Sequence, residues 1–286
     1  MAEVRHDERT VAPPEPFGPG SLLWESIGDR RILLVLGGAL IMQTMHPSIG
    51  HAVAARSVYK TDPWGRLERS LDSLQKWVYA GEGSFAEGER LRAMHKAFRG
   101  VDDQGTTYSA LDPEPWAWVH LTAYERGITF ERYFTLPGQR ADERALYQEV
   151  LQLGRILQVP EHALPPTVED YWAYFDEMVA SKLEAHPTAV DVLERMTRTP
   201  RPKWFPAAME AIWKPFGLSA GTFQRFITVG TFPPAIRKMF DLEWTEDDER
   251  KLRRVGRAIA EVMPRLPERL RYLPLAYKAR KAARAS

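Results

Sequence analysis

Asp112-Pro113-Glu114-Pro115-Trp116-Ala117-Trp118-Val119-His120-Leu121-Thr122-Ala123-Tyr124 reads as the start of a helix. Aspartate can cap free amides, proline fits a first helical turn and glutamate complements the positive end of the helix dipole. Trp116, His120 and Tyr124 then fall one turn apart on a single face. Outward from this run, apolar residues recur at helical spacing, whereas alternation over strand length is almost absent. The expected fold is all-α. Upstream, a helical unit is read over residues 22–56, with Asp29 as a cap and Pro47 as a break or kink; others cover 65–81 and 85–98, the latter stopping at Gly100. Downstream, helices are read at 116–124, 130–136, 141–157, 168–183, 189–196, 205–216, 221–229, 233–240 and 246–263.

The 286 residues, 44% hydrophobic and 27% charged, have the composition of a soluble globular protein. Proline is scattered between the helical segments, so a single helical domain is expected over residues 21–263. Residues 1–20 are polar and proline-rich, lack the order of a secretory signal, and read as a disordered cytoplasmic leader. The apolar stretch 32–45 is too short to span a bilayer and reads as a buried core helix. From Arg250 onward, 12 Lys or Arg face only Glu261 and Glu268. Residues 264–286 are therefore expected as a basic, partly frayed tail that could touch a membrane surface or an acidic partner. A net charge of +1 gives no general attraction for nucleic acid. The absence of cysteine excludes disulfides, thiolate nucleophiles, iron–sulfur clusters and thiolate-ligated haem.

Arg92, His95 and Arg99, at i, i+3 and i+7, would share one helix face beside an apolar stripe of Leu91, Met94 and Phe98. A neutral imidazole there can ligate haem iron, and guanidinium groups can pair with propionates; the competing reading is an exposed Arg–carboxylate network. His120 follows His95 by 25 residues across one turn, so antiparallel helices could bring both imidazoles to one pocket. Arg66, Arg69 and Ser70 form a cationic face with a hydroxyl, suited to a carboxylate or to charge developing on bound oxygen, or else an ordinary amphipathic surface. His46 and His51 flank Pro47 at poor ligand spacing; His46 is expected to cap or pack at the kink. No phosphate loop, nucleophile elbow or His-Glu-x-x-His motif occurs.

Several runs together resemble the rubber oxygenase (latex-clearing protein) and mycophenolic-acid oxygenase family of b-type haem proteins. They are Gly28-Asp29-Arg30-Arg31 through His46-Pro47 to Arg56-Ser57, Asp62-Pro63-Trp64-Gly65-Arg66-Leu67 with Arg69-Ser70, and Arg92-Ala93-Met94-His95 with Arg99-Gly100. Tyr108 to Asp112-Pro113, Trp118-Val119-His120, Tyr171-Trp172 and Phe232-Pro233-Pro234 continue the order. The resemblance implies a globin-like helical fold and one haem b, with His95 as proximal iron ligand between Arg92 and Arg99. It also implies that Arg66 and Ser70 hold the haem site, and that His120 has a structural or supporting role near it. Rubber-cleaving members carry lysine where this chain has Arg69, so a distal amine ligand is lacking here. Their pocket carboxylate has no counterpart between His46 and Ser57.

The expected function is thus a haem-dependent oxidoreductase using dioxygen or peroxide on an apolar, isoprenoid-like substrate. Arg66, Arg69 and Ser70 would serve as its catalytic donors. The alternatives are a haem or lipid carrier without turnover and a cofactor-free helical interaction module.

Overall fold

A computed structural model describes residues 14–102, 105–203 and 205–285. The helices are α1 (Leu22–Ser26), α2 (Ile32–Thr44), α3 (Pro47–Arg56), α4 (Pro63–Tyr79), α5 (Gly83–His95), α6 (Pro113–Phe134) and α7 (Glu143–Ile156). After them come α8 (Val168–Ser181), α9 (Pro187–Arg195), α10 (Glu210–Gly230), α11 (Pro234–Met239), α12 (Glu246–Val262), α13 (Glu268–Arg271) and α14 (Pro274–Ala283). Between α5 and α6 a short antiparallel hairpin pairs β1 (Arg99–Val101) with β2 (Thr107–Ser109). The protein is all-α apart from that hairpin.

Local chemistry explains where the elements depart from the sequence reading. The unit expected over 22–56 is three helices, because Pro47 cannot continue α2 but fits the first turn of α3. The two helices meet at 105°. Asp29 stands two residues before the N-cap of α2, yet its Oδ1 accepts the Arg31 backbone N–H at 2.9 Å at the entrance to that helix; fully buried, it also receives the Arg31 guanidinium at 2.8 Å and Arg271 Nε at 2.9 Å. His46 is buried at the bend and its side chain caps nothing; Nε2 lies 3.3 Å from Glu114 Oε1. Asp112 likewise does not cap α6, because its Oδ2 accepts the Ser109 N–H at 2.9 Å and closes the turn out of β2. The segments read separately at 116–124 and 130–136 are one helix, as are those at 205–216 and 221–229. Burial of Thr129, Phe130 and Phe134 carries α6 through Gly127, and α10 continues through Pro215.

α2 and α6 lie side by side at the centre. Ile41 and Met42 on α2 and Trp118 and Leu121 on α6 are fully buried, and Trp118 Nε1 donates to the Met42 carbonyl at 3.1 Å. Among the described residues no single helix is long and apolar enough to cross a membrane. The bent α2–α3 pair has the length and composition together, but α2 is a core helix, as its sequence suggests.

Both ends of the described chain pack against this centre. Phe17 is buried, and Gln152 donates to the Glu15 carbonyl at 2.7 Å, so residues 14–20 are not a loose leader; residues 1–13 lie outside the described residues. The C-terminal end is not frayed either. Tyr272, Leu273 and Ala276 are buried, and Arg280 pairs with Glu25 at 2.7 Å.

Candidate functional site

A cavity of about 1300 Å³ lies among α2 to α7, with an apolar wall drawn from residues such as Leu36, Leu40, Ile49, Val53, Leu74 and Leu153. One side of α6 borders it from Trp116 through His120, Ala123 and Gly127 to Glu131. At 1.5 Å per residue, that stretch of helix is about 22 Å long. The i, i+4, i+7 recurrence follows from helical periodicity, and Gly127 and Ala123 leave room that larger side chains would fill.

His95 stands in the last turn of α5 and borders the cavity. Its Nδ1 lies 2.8 Å from the Leu91 carbonyl, which can only accept, so Nδ1 carries the proton and Nε2 keeps its lone pair. Phe98 and Trp116 meet the ring edge-on, at 5.1 and 5.2 Å between centroids. Burial lowers its pKa below the ordinary imidazole value, favouring the neutral, ligating form. His120, one turn beyond Trp116, borders the same cavity, so α5 and α6, joined through the β1–β2 hairpin, bring both imidazoles to the wall of one space. His120 Nε2 donates to the Val150 carbonyl at 2.8 Å. Burial depresses its pKa to about 4. Gly154 makes room for that ring: a Cβ there would stand 3.0 Å from both His120 Nε2 and Leu164 Cδ1.

Arg66, Arg69 and Ser70 on α4 border the cavity together. Among the described residues, the half-buried Arg66 guanidinium makes no ion pair or hydrogen bond. Burial lowers its pKa, with Arg69 adding like-charge repulsion. A desolvated cation without a carboxylate is costly, which marks this wall as a place for an anionic group from a ligand. Arg69 is 3.5 Å from Asp62 Oδ2, and Ser70 lies one turn beyond Arg66.

Arg92 and Arg99 are not among the residues bordering the cavity. Arg92 donates to the Gln158 carbonyl at 3.3 Å. Arg99 cannot share the His95 helix face because α5 ends at His95 and Arg99 opens β1, exposed. Arg90 borders the space instead, held by Glu87 at 2.6 Å. Trp116, read from the spacing only as a neighbour of His120, also braces His95, and one residue escaped the sequence reading: Glu131, a carboxyl on the cavity wall whose pKa is raised by burial. Glu131 lies eleven residues beyond His120, a spacing that returns to the same face of α6.

Among the described residues no three His or carboxylate side chains converge to hold a metal ion. A porphyrin needs less from the protein: one axial nitrogen, donors for two carboxylates and an apolar slot. His95 Nε2, the unpaired Arg66 with Arg69 and Ser70 beside it on α4, and the apolar wall all border one cavity, so the residues present fit a haem.

The arrangement is a large, mainly apolar cavity in a helical fold, with two imidazoles and several guanidinium groups on its wall. The catalytic-domain family described as ER-bound oxygenase mpaB/B′ and rubber oxygenase matches residues 24–261, and the chain belongs to that family. An uncharacterized protein of Mycobacterium bovis is 27% identical over 228 residues, covering 77% of this chain and 84% of that protein. An uncharacterized protein of Mycobacterium tuberculosis matches to the same extent. No solved structure matches the chain, so likeness to globins rests on the family resemblance alone.

Proposed function

We propose that the protein is a haem b-dependent oxygenase acting on an apolar substrate, isoprenoid-like chains included. The observation that carries this reading is His95, with its Nδ1 proton committed to Leu91 and its Nε2 lone pair free, on the wall of a cavity that also holds the unpaired Arg66. When bound, haem supplies an iron centre that activates dioxygen or peroxide.

The chain's own groups have separable tasks. His95 Nε2 would hold the iron of a bound haem, and the Leu91 carbonyl fixes its tautomer and ring orientation. Arg66 neutralises a propionate, offsetting the desolvation that it bears alone. Ser70 would offer a neutral hydrogen-bond donor, and Arg69, largely exposed to solvent, a guanidinium that could favour negative charge on a bound ligand. Arg69 cannot coordinate iron as a lysine amine can, since a guanidinium keeps its proton. His120 keeps the wall of α6 closed against α7 through Val150.

Substrate class follows from the space. Pockets for a single small ligand measure roughly 300–1,000 Å³. A cavity of about 1300 Å³ with an apolar wall therefore accommodates a second, apolar occupant beside the cofactor. Oxygen uptake by haem-loaded protein, measured with a panel of long-chain alkenes and terpenoids, tests turnover. Substrate-dependent consumption supports the oxygenase reading; haem binding without any uptake favours a carrier.

A further inference from the structure

One carboxyl on the cavity wall has no task in the oxygenase reading. Glu131 stands on α6 one turn beyond Gly127, half-buried, and makes no ion pair among the described residues. Its Oε2 accepts the Ala141 N–H at 3.2 Å, whereas Oε1 makes no hydrogen bond among the described residues. Burial raises its pKa, and the Ala141 N–H, Thr135, Arg31 and Arg140 restrain that rise. A carboxyl offers about four acceptor positions, so withdrawing it from water with one N–H partner is costly unless a ligand takes up the rest.

The residues around Glu131 make this a polar end of the cavity. Arg31, Thr135, Gln139, Arg140 and Asp142 also border it, the last three exposed, so the space meets solvent here. Arg31 is already committed: its guanidinium pairs with Asp29, donates to the Phe134 carbonyl at 2.8 Å and lies over the Phe130 ring at 5.1 Å. Arg140 donates to the Arg132 carbonyl at 2.9 Å. Towards the start of α6, about 22 Å of helix away, Trp116 meets the His95 ring. Ala123, Gly127, Leu146, Val150 and Leu153 contribute apolar surface along α6 and the facing α7.

Such a layout selects a ligand by its end group. An anionic end at Glu131 would meet a carboxyl, and a cationic end would meet the fields of Arg31 and Arg140. A hydroxyl suits either state of Glu131, donating to the carboxylate or accepting from the protonated acid. A long body without further polar groups suits the wall between Glu131 and His95. Few polar groups in a mainly apolar pocket are what fix a ligand's orientation.

We infer that Glu131 binds the hydroxyl of a long-chain alcohol whose apolar body lies along α6 toward His95. Calling this alcohol the substrate rests on the oxygenase reading, but its binding does not. Purified full-length protein, with and without added haem, is titrated calorimetrically with ligands delivered in cyclodextrin. It should bind oleyl alcohol about tenfold more tightly than octadecene, oleylamine or oleic acid, the gain expected of one hydrogen bond to an ionisable group. Glu131→Leu should erase that preference while leaving octadecene affinity within about twofold. Glu131→Gln, which keeps an acceptor and gains donors, should retain most of it. Unchanged circular dichroism and melting of both variants exclude misfolding. A protein that takes up no haem yet prefers the alcohol would contradict the oxygenase reading and leave this inference standing. No binding of oleyl alcohol, equal binding of octadecene, tighter binding of the amine or acid, an undiminished preference in Glu131→Leu, or equal weakening of alcohol and hydrocarbon in that variant would each overturn the inference.

Discussion

His120 is the clearest case of a residue whose burial has a measurable cost. Its folded pKa is depressed from 6.5 to about 4 by burial, which outweighs the bond to the Val150 carbonyl. Between those values the unfolded chain binds a proton that the folded chain refuses. Stability is therefore intact above pH 6.5 and falls as pH drops through the window, by on the order of 3 kcal/mol at its foot. Urea unfolding at a series of pH values should show this slope, and His120→Gln should flatten it. Arg66 makes the opposite prediction. Because it is desolvated without a partner, Arg66→Met should weaken haem affinity while leaving the melting temperature of the haem-free protein equal or higher; equal haem affinity would remove Arg66 from the site.

At the scale of elements, the site depends on how closely α5 approaches α7. A Cβ at Gly88 would stand 2.3 Å from the Ile156 carbonyl oxygen, a backbone atom that cannot swing aside. Gly88→Ala should push the helices apart, costing about 1–3 kcal/mol of stability. His95 rides on the same helix, so haem affinity should fall with it. Most elements were legible in the sequence: the amphipathic patterns of α4, α7, α8 and α12 place each within a few residues. Errors arose where local signals conflict with packing. Gly127 and the stretch near Pro215 read as interruptions, yet buried neighbours carry α6 and α10 through. The hairpin escaped notice because β1 and β2 span three residues each, too few for alternation to register. That hairpin also takes Arg99 off the face on which helical spacing had placed it.

Across the whole molecule, Asp29 is the clasp. Burial would raise its pKa, but hydrogen bonds and charge from Arg31, with Arg271 adding to them, hold it below the ordinary carboxylate value. A carboxyl with a lowered folded pKa contributes stability above its unfolded value, and that contribution is lost as pH falls through the folded one. The clasp joins the start of α2 to the C-terminal end, where Asp29 and Tyr272 also form an isolated bridge. Asp29→Asn leaves two arginines without their charge partner and should cost about 3–5 kcal/mol in chemical unfolding. This long-range pairing had no local signature, which is why the basic end reads as a tail in sequence. The site was more legible than the clasp. His95, His120, Arg66, Arg69 and Ser70 do share one cavity, but only the resemblance gave them a common purpose, and Glu131 emerges once α6 is seen as continuous.

The central claim is that His95 supplies the axial nitrogen to a haem in this cavity. Absorption spectra of the protein loaded with haem, recorded beside His95→Ala at matched folding, test it most directly. The account predicts a Soret band of an imidazole-ligated haem in the wild type, lost or shifted in the variant and restored by free imidazole. An identical Soret band in His95→Ala, or wild-type protein that takes up no haem at all, would contradict it.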